Sequence, residues 1–302
     1  MTGQLVWPRG AAGPERRYRT VCPPLPHLPL HLDWLRMRNL SPRYVDMRRF
    51  TIRRVARQLG CDPLDATTEQ MYDWQRTRQV SVGTLATEVS HVVEYCGWAV
   101  REGIIAVDPS TRLIMPKLPQ RLPRPAVEAD LLSAIGGADR DVRLMLVLAA
   151  FEGLRACELA ALDRADVFDR DDPPSVRLRG KGDKERLVPL GVMVLDELRR
   201  YGLPVYGPVF PRGDGQPGHN RPQRISAIVG EYLREAGLPF TLHMCRHRFA
   251  TAFYRQTLDI RALQELLGHT SPTTTALYAA YSVERSASAV DALSTGLSTT
   301  IL

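Results

Sequence analysis

The chain has 302 residues, 44% of them hydrophobic and 24% charged, and its 40 basic and 33 acidic residues give a formal charge of +7. This length suits two domains of ordinary size, and the composition is typical of a globular protein. Because there is no run of about 18 apolar residues and no compact apolar block near the N-terminus, the sequence argues against a membrane-spanning or secreted protein and predicts a cytoplasmic one.

The excess of basic residues predicts an anionic partner, of which nucleic acid is the commonest. Only three of the 40 basic residues are lysines, and two of these, Lys181 and Lys184, lie in the single stretch RGKGDKERLVPL at residues 179–190. The five cysteines are odd in number and scattered, without a C-x-x-C pair. This usage is typical of reduced thiols and indicates neither a disulfide framework nor a zinc site.

The first part of the chain predicts a basic tail followed by a small helical domain. Residues 1–26 mix Pro, Gly and Arg without periodicity, which indicates a flexible tail, and residues 27–116 carry helical patterns without a strand signal. Ser41 and Pro42 suit the cap and first position of a helix. One stripe of that helix is apolar, and another carries Arg49, Arg53 and Arg57. This basic stripe is either a solvated face or a surface that faces DNA phosphates.

The second part predicts a linker and a larger, mixed domain. Residues 117–125, KLPQRLPRP, carry three prolines and indicate an extended linker. In the domain at 126–285, apolar residues at 175–179 and 186–190 predict a β-hairpin with the two lysines near its turn. Residues 286–302 predict a tail. Helical patterns occupy 127–135, 142–151, 192–200, 224–236, 243–254, 260–267 and 274–281, so the predicted fold is mainly α with a small β-sheet, in two domains.

The segment LHMCRHRFAT places His243 and Arg246 three residues apart at the start of a predicted helix. An anion there would meet the positive end of the helix dipole and a bidentate guanidinium together. His243 and His247 also have the spacing of a metal-binding pair. Because Arg246 would put a fixed positive charge beside the ion and no H-E-x-x-H glutamate is present, this pattern argues against a metal site.

Other candidate groups are unremarkable one at a time. Arg155 and Glu158 lie three apart in GLRACELAAL, where an exposed ion pair within a helix is the ordinary interpretation. In LQELLGHTSPTTTALY, Gly268 suits the C-terminal cap of a helix, His269 follows it, and Tyr278 comes nine residues later.

In combination, these motifs resemble the tyrosine recombinase family, also called the phage integrase family. The matching words FEGLRACELAAL, RGKGDKERLVPL, LHMCRHRFAT and LQELLGHTSPTTTALY stand in the family's order across about 130 residues. The preceding helices and linker resemble the family's core-binding domain. Members close two domains around double-stranded DNA, and a tyrosine attacks a phosphodiester to give a 3′-phosphotyrosyl enzyme and a free 5′-hydroxyl.

The resemblance assigns Tyr278 as the nucleophile, with Arg155 and Arg246 on the non-bridging phosphate oxygens. His243 would assist proton transfer or donate to the phosphate, and His269 would donate a further hydrogen bond. Lys181 matches the general acid that protonates the leaving 5′-oxygen, a task for which lysine is suited because arginine holds its proton too tightly. Glu158 would orient its neighbours and Lys184 would contact a phosphate.

The resemblance also implies a homotetramer that acts on two DNA duplexes through a Holliday junction and needs no metal or other cofactor. A directionality factor or a partner recombinase is a further possible requirement. The segment after the tyrosine often docks on a neighbouring subunit. The chain has too little sequence before residue 27 for the arm-site domain of lambda-type integrases, which favours an Xer-like or minimal phage-type enzyme.

Two departures from the family pattern are Cys245, where leucine is common, and Glu152, where an uncharged residue is usual. Neither removes a reacting group. Two alternative functions stay open at this point. A type IB topoisomerase would share the Arg, Lys, His and Tyr set but relax supercoils, and an accessory DNA-binding factor would keep the fold without catalysis.

Overall fold

A computed structural model describes residues 21–119, 122–180, 185–268 and 272–279. The predicted site residues Lys181, Lys184 and His269 lie outside these ranges, as do residues 1–20 of the predicted N-terminal tail and all of the predicted C-terminal tail. Leu25, within the predicted N-terminal tail, packs against the core of the helical domain. The chain divides into two compact units, with the boundary between residues 120 and 121. Both units are mainly helical, as the sequence predicts.

Over residues 21–119, the first unit has four helices, α1 (Leu28–Met37), α2 (Pro42–Leu59), α3 (Thr68–Thr77) and α4 (Val82–Arg101). The predicted start of α2 is confirmed, because the Ser41 hydroxyl accepts the Tyr44 N–H at 3.3 Å and Pro42 is the first helical residue. The helix ends at Gly60, which has a φ of 81°. The core of the unit includes Leu35, Ile52, Val55, Met71, Val92, Tyr95 and Cys96.

The basic stripe of α2 faces outward. Arg53 and Arg57 are exposed, whereas Arg49 is half-buried, pairs with Asp46 at 2.9 Å and lies over the Phe50 ring. Two guanidiniums on α2 are therefore free of the core, which is compatible with either interpretation of the stripe.

The second unit is built around α6, whose residues 144–150 are all buried. This helix packs against α5, α8, α9 and α10. A helix that is apolar on every side belongs at the centre of a fold. The eight helices described here are α5 (Glu128–Gly137), α6 (Arg140–Phe151), α7 (Ala156–Ala161), α8 (Val192–Tyr201), α9 (Pro222–Glu235), α10 (Leu242–Thr257), α11 (Ile260–Leu267) and α12 (Pro272–Ala279).

A three-stranded antiparallel sheet lies beside this bundle. Its strands are β1 (Val167–Phe168), β2 (Ser175–Arg179) and β3 (Glu185–Pro189), in spatial order β1-β2-β3. Val176 pairs with Val188 and both are buried, whereas Leu187, between Val188 and Arg186, is exposed. Alternation along β3 thus places Arg186 on the same inner side as Val188. The predicted hairpin is confirmed, and β1 is an addition to the prediction.

Among the described residues, no helix is long and apolar enough to cross a membrane. All five cysteines are free, and Cys96 and Cys245 are fully buried. Cys245 therefore occupies the core position where leucine is common in the family, as a small apolar side chain.

Candidate active site

The GLR turn after α6 is shaped by one glycine. Gly153 has a φ of 69°, and a Cβ at this position would lie 2.5 Å from Cδ1 of Phe249 on α10. Only glycine therefore allows the turn to pack against α10. The Gly153 carbonyl accepts a hydrogen bond from Arg246, and two residues later Arg155 stands at the N-cap of α7. Arg155 thus precedes the helix on which the sequence predicted it to lie.

Glu158 is a buried carboxylate shared by three arginines. Its Oε1 lies 2.9 Å from Nη1 of Arg155 and 2.9 Å from Nη2 of Arg186, and its Oε2 lies 3.7 Å from Nη1 of Arg246. Oε2 also accepts the backbone N–H of Arg155 at 2.8 Å. The interpretation as an exposed ion pair is wrong, because the Glu158 side chain is only 2% exposed.

The charges around Glu158 determine its ionisation. Burial by itself would raise the pKa of this carboxyl group, but Arg186, Arg246 and Arg155 together hold the pKa below its usual value. Glu158 is therefore ionised at neutral pH. One carboxylate among three guanidiniums leaves a net positive site, which suits a phosphodiester anion.

Arg246 is the most deeply placed of the three arginines, with 2% of its side chain exposed. Burial, followed by repulsion from Arg155, lowers the pKa of Arg246 to about 9, so the guanidinium is charged at neutral pH. Its Nη2 donates to the Leu267 carbonyl at 2.7 Å. These contacts fix the guanidinium at the junction of α7, α10 and α11.

Three consecutive carbonyls at the end of α11 each accept a hydrogen bond from a different arginine. Leu266 accepts from Nε of Arg186 at 2.7 Å and Leu267 from Arg246, while Gly268 accepts from Nη2 of Arg155 at 3.4 Å. The last carbonyls of a helix lack partners within the helix and carry partial negative charge, so they stabilise cations. The arginines and the end of α11 therefore hold each other in place, directly before His269 in the chain.

Gly268 makes this close approach possible. It has a φ of 60°, and an added Cβ would lie 2.9 Å from Nη1 and 3.2 Å from Cζ of Arg186. The predicted left-handed cap at Gly268 is confirmed. The glycine is required both by the backbone conformation and by the arginine against it.

Tyr278 on α12 is only 4% exposed, and its hydroxyl oxygen lies 2.8 Å from Nδ1 of His247 on α10. The rings of His247 and His243 meet edge to face, with centroids 4.5 Å apart. Tyr278 and both histidines line a cavity of about 330 Å³, whose other walls are Leu122, Pro123, Arg124, Met244 and Leu277.

The protonation states in this cavity follow from its surroundings. Burial raises the pKa of Tyr278, although Arg246 and Arg155 act in the opposite direction. Burial, then His243 and Arg246, lowers the pKa of His247 to about 4. Burial, then Arg246 and Arg155, lowers the pKa of His243. Both imidazoles are therefore neutral at pH 7.

The structure thus brings together Arg155, Glu158 and Arg246, and places His243 and Tyr278 around one cavity. Lys181 and His269 lie outside the described residues. Sequence reasoning missed Arg186, although an arginine on the inner side of a strand two residues before a buried valine was a usable signal. It considered His247 only as half of a metal pair, yet the one-turn spacing from His243 already placed both rings on one face. Within the described ranges, no cluster of three or more His, Cys, Asp or Glu residues could hold a metal ion.

Comparison with known proteins matches residues 126–285 to the phage integrase family. Tyrosine recombinase XerC 2 of Ralstonia nicotianae is 31% identical over 312 residues, covering 90% of this chain and 87% of the relative. Tyrosine recombinase XerC of a Mycobacterium species is 36% identical over 223 residues, covering 67% of this chain and 73% of the relative. A crystal structure of lambda integrase residues 75–356, a dimer bound to a COC′ core site, shares the fold with a TM-score of 0.69 and 20% identity, covering 83% of this chain and 93% of that chain.

Proposed function

This chain belongs to the phage integrase family and is a site-specific tyrosine recombinase, and we propose that Tyr278 is the nucleophile with which it attacks a DNA phosphodiester. The observation that carries this assignment is the position of Tyr278, bonded to His247 and within the electrostatic influence of Arg155 and Arg246. A phenol with a raised pKa is a weak nucleophile, so catalysis requires removal of its proton and neutralisation of the phosphate charge.

Arg155 and Arg246 supply the second requirement. Both are held by Glu158 and by the end of α11, so their donors are oriented before DNA arrives. On this proposal the two guanidiniums contact the non-bridging oxygens and stabilise the charge that builds up in the pentacoordinate transition state. Preorganised donors of this kind contribute about 3 kcal/mol each.

The remaining roles complete the reaction. Lys181, which lies between β2 and β3 in the sequence, protonates the leaving 5′-oxygen, and His243 and His269 donate hydrogen bonds to the phosphate. Glu158 is a positioning residue. The 3′-phosphotyrosyl bond conserves the energy of the broken phosphodiester, so a 5′-hydroxyl of a partner strand can reverse the attack without ATP or a metal.

The partners follow from this chemistry. We infer that residues 27–116 form a core-binding domain and residues 126–285 the catalytic domain, with Arg53, Arg57, Arg49 and Lys184 contacting DNA phosphates. One related solved structure is a lambda integrase tetramer bound to a Holliday junction. A homotetramer on two duplexes, acting in the cytoplasm with or without a directionality factor or partner recombinase, is the corresponding assembly proposed for this chain.

A nicked suicide substrate tests the assignment of Tyr278. The DNA that flanks the gene supplies candidate crossover sites. The substrate carries one of these sites and a nick beside the cleavage position, so that the short fragment with the free 5′-hydroxyl is released after cleavage. Wild-type protein should form a covalent adduct in the presence of EDTA, and Tyr278→Phe should form none. Tyr281→Phe is the matched control and should react like wild type. An undiminished adduct with Tyr278→Phe would transfer the role to another tyrosine.

Supercoiled plasmid separates the recombinase from its rivals. Plasmid without a cognate site should stay supercoiled, because strand cleavage requires the assembled site. Efficient relaxation of any plasmid would identify topoisomerase activity as the main function. Site-specific DNA binding without any adduct would identify an accessory factor.

A further inference from the structure

We propose that His247 is a further catalytic residue, which accepts the hydroxyl proton of Tyr278 as the tyrosine oxygen attacks phosphorus. This inference rests on the proposed role of Tyr278 as nucleophile. It decides between the two alternative roles that the family resemblance left open for His243. His247 acts on the nucleophile, and His243 is left to donate to the phosphate.

The contact geometry carries this assignment. Nδ1 of His247 lies 2.8 Å from the Tyr278 oxygen, within hydrogen-bond reach of the proton that must leave. The two ring centroids are 5.8 Å apart and the rings are tilted by 50°, so the contact is made through the hydroxyl and the ring nitrogen. His243 contacts the His247 ring edge to face, and the hydrogen bond described for the phenol oxygen is the one to His247.

The charged and titratable groups around His247 keep it able to accept a proton. Tyr278 faces it from α12, Arg124 from the segment before α5, and His243 and Arg246 from its own helix. Burial, then His243 and Arg246, lowers the pKa of His247 to about 4. At neutral pH the ring is therefore uncharged. The phenol hydroxyl can donate to Nδ1 while Nε2 carries the ring hydrogen.

The proton transfer has to be coupled to the attack. The pKa of Tyr278 is raised, far above that of His247, so no phenolate and imidazolium pair forms before DNA binds. As the bond from the tyrosine oxygen to phosphorus forms, the O–H bond breaks and its proton moves to Nδ1. The bond from phosphorus to the 5′-oxygen breaks, and that oxygen takes a proton from the general acid. The extra negative charge on the phosphorane stabilises the new imidazolium, and religation returns the proton to Tyr278.

His247→Asn is the most direct test. Its amide can bond the Tyr278 hydroxyl from nearly the same place as Nδ1 but cannot accept the proton. We expect single-turnover cleavage of the suicide substrate at pH 7 to slow by at least about 100-fold. This deficit relative to wild type should shrink by about tenfold for each pH unit between pH 6 and 8, as hydroxide takes over the proton. DNA affinity should change by less than about threefold.

His243→Asn is the matched control, one helical turn away on the same face. It should also slow cleavage, but by a factor that does not depend on pH. If His247→Asn cleaves within about threefold of wild type, or has a deficit that is constant with pH, His247 only positions the tyrosine and the inference fails. Tyr278→Phe tests the parent proposal separately, because an adduct in that variant would overturn the nucleophile and not the role of His247 alone.

A second variant protects the test against misfolding. His247→Ala opens space beside the 330 Å³ cavity, which suits a small imidazole. Added imidazole should accelerate cleavage by His247→Ala at least about tenfold and leave His243→Ala unchanged. Absence of this rescue in protein that still binds DNA would overturn the inference.

Discussion

Arg186 donates from Nε to the Leu266 carbonyl at 2.7 Å, across 80 residues of sequence. This bond joins β3 to the end of α11, and Nη2 of the same side chain reaches Glu158. A single guanidinium therefore connects the strand that follows the lysine loop, the carboxylate that holds Arg155, and the carbonyls directly before His269. Its side chain is 12% exposed, so loss of these contacts leaves buried partners unsatisfied.

Arg186→Ala should therefore damage both the stability and the chemistry of the enzyme. We expect a loss of about 2–4 kcal/mol in the free energy of unfolding, because Glu158 loses a buried ion-pair partner and the Leu266 carbonyl loses its donor. Adduct formation should fall by at least about 100-fold, while DNA affinity changes little. Denaturant unfolding and the suicide substrate provide the two measurements.

The control for Arg186 is Arg177→Ala. Arg177 lies on β2, the strand beside β3, and its partner is Asp166, directly before β1. The variant should also lose stability, because Asp166 is buried and loses its donor, but it should leave cleavage within a few fold of wild type. Equal cleavage by the two variants would contradict a positioning role for Arg186.

Gly268→Ala should disturb the same junction from the other side. The left-handed backbone costs alanine about 1 kcal/mol, and its methyl group would also displace Arg186. Gly202→Ala is the control, because Gly202 has a φ of 71° with no atom within 4 Å of an added Cβ. We expect both variants to lose stability but only Gly268→Ala to lose cleavage activity. Similar activity in the two variants would show that Arg186 moves aside without consequence.

Glu152 should make the protein less stable at alkaline pH. It is buried and accepts the Gly191 N–H at 3.0 Å, and its burial raises the pKa to about 7. A carboxyl group whose pKa is raised on folding contributes stability below its unfolded pKa, and loses it as the pH rises through the folded value. Glu152→Gln keeps the acceptor without the charge. Its free energy of unfolding should exceed that of wild type by up to about 3 kcal/mol at pH 8, and this gain should disappear near pH 4.5.

Glu158→Gln should change the free energy of unfolding in the opposite direction to Glu152→Gln. The pKa of Glu158 is lowered on folding, so its ionised form stabilises the protein above the unfolded pKa. We expect a loss of about 3–5 kcal/mol at pH 7, which diminishes as the pH falls below about 4.5. Urea titrations of Glu152→Gln from about pH 4.5 to 8, and of Glu158→Gln from about pH 3 to 8, measure these trends. Parallel curves for the two glutamine variants would refute the assigned environments.

Lys181→Arg should separate acid catalysis from phosphate binding. Arginine preserves the positive charge but holds its proton too tightly to protonate a leaving group. The variant should bind DNA nearly as well as wild type and cleave an ordinary phosphodiester far more slowly. A 5′-bridging phosphorothiolate, whose leaving group needs no proton, should restore cleavage. Without that recovery, Lys181 is a phosphate contact only, like the role assigned to Lys184.

Local spacing in the sequence was sufficient for the elements and for the family. Three predicted features depend only on neighbouring residues, and the structure confirms them. They are the helix cap at Ser41, the two paired strands on either side of the lysines, and the left-handed backbone at Gly268. The short strand β1 was missed because two residues carry no periodicity. The order of the four motifs identified the family because each motif is a short contiguous stretch of sequence.

The tertiary structure decided which of these residues meet and how they are charged. Arg155 and Gly268 are 113 residues apart, and Arg246 and Gly153 are 93 apart, so no local pattern contains their contacts. Glu158 looked like a surface ion pair because its partners Arg186 on β3 and Arg246 on α10 are distant from it in sequence. The family resemblance placed His243 near the proposed nucleophile, but only the packing of α12 on α10 brings His247, one helical turn away, within hydrogen-bond distance of Tyr278.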